Sequence, residues 1–458
     1  MFPGTFTLAA ISNVHGVPAD DLEVVASMTA LVDKSLVHAA GDEERRFALL
    51  DSVREFGVRE QGADELRVRR NRHAGFYLEL ARAADDVRRV AALDGAWERM
   101  LQRDRHNCYA ALEWSLNGEG DRAAGVELAV LLRRYFDYEP VALEGRWLRL
   151  ALERANEADV ELRAEAMLAY EIALRHEAHA RRPQRVAAFE DVVAVHRAVG
   201  DPIKLQTALA WLGWALKAAG RQREGLAAAH EASELARTHG SARDLAWTLR
   251  VEALVTAPEC VAERRARLHE SLQVLEPFGP DRDAAATMSL MADVEAGAGN
   301  WGDALQHARA ALALYESRPA MPRSARVTMA IAVAGYVLVT GDLASGRDAA
   351  LRAVTMSADA SAQNMEGAIL VAAYAHALAG DPSRAAKLRG YCAALNDFRD
   401  LVTAARVCDE RLAALLRTRY SETELIAFAQ EGAAWAQDRA LAECDALREP
   451  ALPVEPSR

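Results

Sequence analysis

Ala208-Leu209-Ala210-Trp211-Leu212-Gly213-Trp214-Ala215-Leu216-Lys217-Ala218-Ala219-Gly220-Arg221-Gln222-Arg223-Glu224-Gly225-Leu226-Ala227-Ala228-Ala229-His230-Glu231-Ala232 is the stretch on which the fold turns. It reads as two helical runs separated at Gly220, with small residues where two antiparallel helices would cross. Helices approach closely only if the crossing positions lack bulk. Breaks of the same kind fall at Ala180 (before Arg181-Arg182-Pro183), Gly299, Gly341 and Gly380. Their spacings are 40, 79, 42 and 39 residues, the 79 being two units with a weak break near Pro258. Seven residues before the breaks stand Ala173, Gly213, Ala292, Ala334 and Ala373, and five after them Arg185, Gly225, Ala304, Gly346 and Ala385. Nine after come Phe189, Ala229, Ala308, Ala350 and Arg389, and twelve after Val192, Ala232, Ala311, Ala353 and Cys392. A period near 40 with two helices per unit predicts an all-α α-solenoid of tetratricopeptide-like helical hairpins.

The 458 residues suffice for about three ordinary domains or one extended array. With 51% hydrophobic and 27% charged residues the composition is that of a folded protein. A formal charge of -12 speaks against broad nucleic-acid binding, which needs a net basic face. Only four of the 55 basic residues are lysine (Lys34, Lys204, Lys217, Lys387), a bias attributable to codon usage. Cys108, Cys260, Cys392, Cys408 and Cys444 form no Cys-x-x-Cys pair, so neither a disulfide framework nor a thiolate zinc site is indicated. No basic segment followed by an apolar run opens the chain, so no secretory signal is expected. The uncharged apolar stretch Val327 to Gly341 has 15 residues against the roughly 20 of a membrane span. A cytoplasmic protein is expected, with no membrane among its partners.

Ahead of the repeats, Asp20 and Asp21 precede an apolar stripe (Leu22, Val25, Met28, Leu31, Val32), the signature of a capped amphipathic helix. The strand-like Ser35-Leu36-Val37-His38, a polar turn at Gly41 to Glu44, and Arg46-Phe47-Ala48-Leu49 follow. A helix and then a two-stranded ribbon is the back half of a winged helix. Two long helices carrying Phe76, Leu80, Trp97, Leu101 and Trp114 come next. The expected organisation is a partial winged helix at 1–61 and a helical bridge at 62–120. The repeat array follows at 121–430, and a C-terminal helix with a Pro-rich tail at 431–458.

Three runs in the first zone carry a family likeness: Phe2-Pro3-Gly4-Thr5-Phe6-Thr7-Leu8, Leu31-Val32-Asp33-Lys34-Ser35-Leu36-Val37 and Phe47 to Phe56. With Arg72 to Leu78, His106 to Trp114 and Ala433 to Ala436 followed by Leu441, they make the chain resemble the C-terminal part of bacterial STAND-type regulatory ATPases, the AfsR-like or LuxR-type transcriptional regulators. The resemblance implies a winged helix followed by a repeat arm that senses or docks partners, with a separate ATPase half as one partner. It does not bring ATP binding. A phosphate-binding loop ends in Gly-Lys-Ser/Thr, and none of the four lysines follows a glycine. The likeness starts inside the winged helix, which suggests a truncated gene product or one separated from its ATPase half.

Chemistry is thinly signalled. From Asp21 to Asp33 there is no basic residue, and residues 1 to 60 hold ten acids against five bases, so direct DNA contact is not expected. His176-Glu177-Ala178-His179 spaces its histidines by three where a zinc-protease helix needs four. The cluster Arg67, Arg69, Arg70, Arg72 and His73 reads as a solvated face paired with Asp64 and Glu65, anion binding being the alternative. No catalytic, cofactor-binding or metal residue is assigned, and no cofactor is expected. If the first helix of each hairpin lines a groove, the register places Tyr170, Glu177, Trp214, Lys217, Asp293 and Tyr374 there for a protein partner or small effector. Aromatics filling gaps between helices would give the same pattern. The function expected is a non-catalytic regulatory and protein-interaction module. The alternatives are an enzyme or small-ligand-binding protein with a site of scattered groove residues, and a DNA-binding regulator acting through the winged helix.

Overall fold

The computed structural model describes residues 1–18, 20–40, 45–90, 96–136, 141–156, 159–174, 182–317, 323–358, 362–395 and 402–448. The chain forms two compact units, Met1–Val255 and Thr256–Arg458. Both are built almost wholly of helices, as the repeat pattern predicts.

Unit 1 begins with β1 (Phe6–Thr7), α1 (Leu8–His15), α2 (Leu22–Asp33), β2 (Val37–Ala40), β3 (Arg46–Leu49) and α3 (Asp51–Arg59). Asp21 caps α2 as expected, its carboxylate accepting from the Glu23 and Val24 amides at 3.0 and 3.1 Å. The ribbon differs from the sequence expectation in two ways. Ser35 takes φ 56°, a left-handed conformation that ends α2, with the Ser35 and Leu36 amides donating to the Val32 and Leu31 carbonyls, so the strand starts two residues later. A third strand also joins, giving the antiparallel order β1-β3-β2 with Phe6 opposite Phe47 and Val37 opposite Leu49. Arg46 ties this sheet to the helices behind it, pairing with Asp104 at 2.7 Å where both side chains are buried. Asn107 closes the same joint by donating to the Thr5 carbonyl at 2.8 Å.

The rest of unit 1 is helical: α4 (Ala63–Val90), α5 (Ala96–Asn117), α6 (Arg122–Phe136), α7 (Val141–Arg154), α8 (Val160–Ala173), α9 (Arg182–Val199), α10 (Pro202–Ala218), α11 (Gln222–His239) and α12 (Ala242–Val255). The α10–α11 hairpin shows why the sequence repeats as it does. Gly220 sits at φ 81°, and the amide after it reaches back to the Leu216 carbonyl at 2.9 Å, satisfying carbonyls at the helix end without a Cβ penalty. Inside the hairpin, a Cβ on Gly225 would lie 2.7 Å from the Gly213 carbonyl oxygen, and one on Gly213 2.8 Å from that of Gly225. Ala229 and Ala232 continue the contact and are fully buried.

Unit 2 contains α13 (Val261–Leu275), a 3-10 turn at Glu276–Phe278, α14 (Arg282–Gly297), α15 (Trp301–Glu316), α16 (Arg323–Val339), α17 (Leu343–Ser357), α18 (Ala362–Leu378), α19 (Pro382–Leu395), α20 (Thr403–Arg419), α21 (Glu422–Ala433), α22 (Gln437–Asp445) and a 3-10 turn at Ala446–Arg448. Gly299, Gly341 and Gly380 adopt the left-handed turn that Gly220 adopts, at φ 81°, 96° and 97°. The register alanines Ala304, Ala308, Ala311, Ala350, Ala353 and Ala385 are all buried. One helix departs from the stacked-hairpin order. α20 packs against α14, α16 and α18, the first helices of three successive hairpins, so the chain itself fills that side of unit 2. Cys408 lies against the Gly335 backbone with Sγ 3.9 Å from its carbonyl oxygen, and Arg411 donates to the Val339 carbonyl at 3.3 Å. Ala404, Ala405, Cys408 and Leu412 are the buried face of α20.

Candidate functional site

In unit 1 the corresponding side, formed by first helices, holds a cleft of about 600 Å³ lined from α4, α6, α8, α10 and α12. Its floor is apolar, with Leu131, Leu162 and Leu168. Its rim is made by the starts of the helices, where the sequence places capping acids. Asp121 accepts from the Ala123 and Ala124 amides at 2.9 and 3.3 Å. Asp159 accepts from the Leu162 amide at 3.0 Å, and Asp244 forms a reciprocal pair with Ser241 through bonds of 2.7 to 3.2 Å. A carboxylate at these positions satisfies free amides and faces the positive end of the helix dipole.

Two ion pairs cross the cleft wall. Arg82 of α4 grips Glu127 of α6 with bonds of 2.7 and 2.6 Å, and Lys204 of α10 pairs with Glu161 of α8. Burial works against the Lys204 charge, but the Glu161 hydrogen bond and the fields of Glu165, Glu161 and Asp201 outweigh it and hold its pKa above the ordinary lysine value. Glu165 stands one turn beyond Glu161, and its Oε1 lies 3.1 Å from Nε2 of the fully buried His196 on α9. Among the described residues the cleft lining includes no cysteine, serine or histidine, and no three His, Cys, Asp or Glu side chains are grouped to hold a metal.

The described residues among those chosen from the sequence are not part of the cleft lining. In unit 1, Tyr170 is half-buried against the hydrophobic core. Trp214 packs edge-on to Trp211 at 5.9 Å with the Arg185 guanidinium 5.7 Å over its ring. Lys217 donates to the Leu254 carbonyl near the C-terminal end of α12, a structural use of its charge. In unit 2, Tyr374 is buried in the core cluster that includes Ala405, Cys408 and Leu412 of α20. Asp293 is bonded to Tyr336 at 3.5 Å and to Thr403 of α20, and burial raises its pKa against the opposing pull of Thr403, Arg264, Tyr336 and Arg406. Glu177, like His176, His179 and the Ala180 break, lies outside the described residues. The arginine cluster is spent on structure: Arg67 pairs with Asp64 and Arg69 with Glu65, while Arg72 donates to the His15 carbonyl at 2.9 Å. Arg70 stacks 5.0 Å over Trp114.

The fold is that of an all-α helical-repeat protein. No family model and no curated protein matches the sequence. Among solved structures, the chain is similar to a Signal Transduction ATPase with Numerous Domains (STAND) protein with a tetratricopeptide repeat sensor from Pyrococcus horikoshii. That similarity has a TM-score of 0.52 and 14% identity over 90% of this chain, which spans only 63% of the relative's length. It is also similar to a Rap protein complexed with Competence and Sporulation Factor, with a TM-score of 0.56 and 12% identity over 81% of this chain and 99% of that one. At these identities the likeness is one of fold. No described helix is long and apolar enough to cross a membrane.

Proposed function

We propose that this chain is a non-catalytic docking arm of a STAND-like bacterial transcriptional regulator, with the first-helix side of unit 1 as its partner site and residues 1–61 as a winged-helix joint. The observation that carries the reading is the open cleft on first helices that, in unit 2, are covered by the chain's own α20. First-helix faces are where helical-repeat proteins present their concave binding surfaces. The likeness to a STAND protein with a tetratricopeptide repeat sensor and to a Rap protein complexed with a factor supports the same reading.

Display selection of random peptides on the purified chain tests it. Enriched sequences should lose binding to a variant whose cleft is filled by Ala123→Trp and Thr207→Trp, the first exposed and the second half-buried in the cleft lining. No enrichment, or enrichment indifferent to the filled cleft, would refute the docking role. The association with a separate ATPase half is checked by reading the DNA upstream for a coding stretch with a phosphate-binding loop.

A further inference from the structure

Among the described residues, seven carboxylates and three cations line the unit 1 cleft. Both Glu127 and Glu161 already hold a cationic side chain. Among the described residues, Asp121 and Asp159 bond only to amides of their own helix starts and Asp244 only to Ser241, so none has an ammonium or guanidinium partner there. Glu165 lies 3.1 Å from the buried His196 Nε2, and its field also reaches Lys204, which is already paired with Glu161. Beneath these acids lies the leucine floor. Acids around an apolar floor match a side chain with an aliphatic stem and a cationic head, which buries the one and pairs the other. A bare divalent ion does not fit, because the described carboxylates are not grouped to share one.

We infer that the cleft takes a short basic peptide, whose arginine or lysine heads meet Asp121, Asp159 and Glu165 while their stems lie on Leu131, Leu162 and Leu168. The inference rests on the docking role proposed above and names the chemistry of the partner. The cleft volume of about 600 Å³ falls within the range of sites that hold compact ligands. Asp121 and Asp159 are exposed, so each pair contributes specificity and a salt-sensitive share of affinity.

The test is fluorescence anisotropy on the full chain with a short labelled peptide alternating leucine and arginine, a counterpart with aspartate for arginine, and spermidine as competitor. The basic peptide should bind, weaken with added salt and resist spermidine, and the acidic one should not bind. Asp121→Asn, Asp159→Asn and Glu165→Gln together keep the caps, since asparagine caps as aspartate does. Each lost charge should weaken binding about two- to fivefold, or roughly tenfold or more in the triple variant. The same charge loss on the second helices, by Glu153→Gln, Glu190→Gln and Glu234→Gln, should change it less than about twofold. Equal loss in both triple variants, binding of the acidic peptide, or competition by spermidine as strong as by unlabelled peptide would overturn the inference. Peptides selected by display that need the open cleft but carry no basic residue would overturn it too, while leaving the docking role standing.

Discussion

The Gly213–Gly225 contact makes a prediction whose sign is unusual for a helix. Replacing an exposed helical glycine by alanine ordinarily stabilises by about 0.5 to 1 kcal/mol, because glycine loses more backbone freedom on folding. Gly75 is such a site, exposed within α4 with nothing within 4 Å of its Cβ position. Gly75→Ala should therefore stabilise by that amount. At Gly225 the new methyl would lie 2.7 Å from the Gly213 carbonyl oxygen and 3.1 Å from the Lys217 amide nitrogen. Both are backbone atoms, so no rotamer change relieves the clash and α10 must move away from α11. Overpacking of this kind costs about 1 to 3 kcal/mol. Set against the propensity gain, Gly225→Ala should destabilise by about 1 to 2 kcal/mol. Urea titration of both variants, followed by helical circular dichroism and by tryptophan fluorescence, measures the difference. A Gly225→Ala protein as stable as the parent would refute the claim that the hairpin spacing depends on missing side chains.

Three further outcomes follow from buried groups. His376 is held near pKa 4, first by burial and then by Arg384, against its ordinary 6.5. The unfolded chain thus takes up a proton that the folded one refuses, and stability of about 3 kcal/mol present above pH 6.5 is lost as pH falls towards 4. His376→Gln should flatten the thermal midpoint across that window, and an unchanged pH profile would count against the assignment. Asp104→Ala breaks the buried Arg46–Asp104 pair, so it should cost about 3 to 5 kcal/mol in denaturant titration, and a loss below about 1 kcal/mol would contradict it. Burial pushes the Cys408 and Cys444 thiols up to about 12 and raises Cys108 and Cys392 as well, whereas Cys260 is partly exposed. A thiol reagent on the native chain should therefore modify Cys260 first, with slow release of the others only on unfolding.

The hairpins are legible in the sequence because each turn needs a residue with positive φ and each crossing needs a small one, and these demands leave glycine and alanine in fixed register. The cap at Asp21 is legible for the same local reason. The groove residues are harder. Asp293 and Tyr374 occupy the register positions that a groove would use, but their surroundings are set by α20, whose stripe of Ala404, Ala405, Cys408 and Leu412 looks like any amphipathic helix until its docking place is known. The acidic cleft hides in another way. Asp121 and Asp159 carry the pattern of ordinary helix caps, and only the stacking of α6, α8 and their neighbours turns separate caps into one charged rim. Glu161 and Glu165, four apart on α8, are the signal that could have pointed to it.

The placement of α20 also bears on how the chain is made. Stacked hairpins contact only their neighbours, so an array of them can in principle fold as it leaves the ribosome. In unit 2 the helix that closes the first-helix side is encoded after α14, α16 and α18 have all been synthesised. At roughly 5 to 20 residues per second, the stretch from the end of α16 to the end of α20 takes about 4 to 16 s to emerge. During that time Gly335 lacks the cover that Ala404 and Cys408 of α20 later give it. Nascent chains halted before Arg419 should accordingly expose an apolar strip to chaperones and proteases that the finished protein conceals.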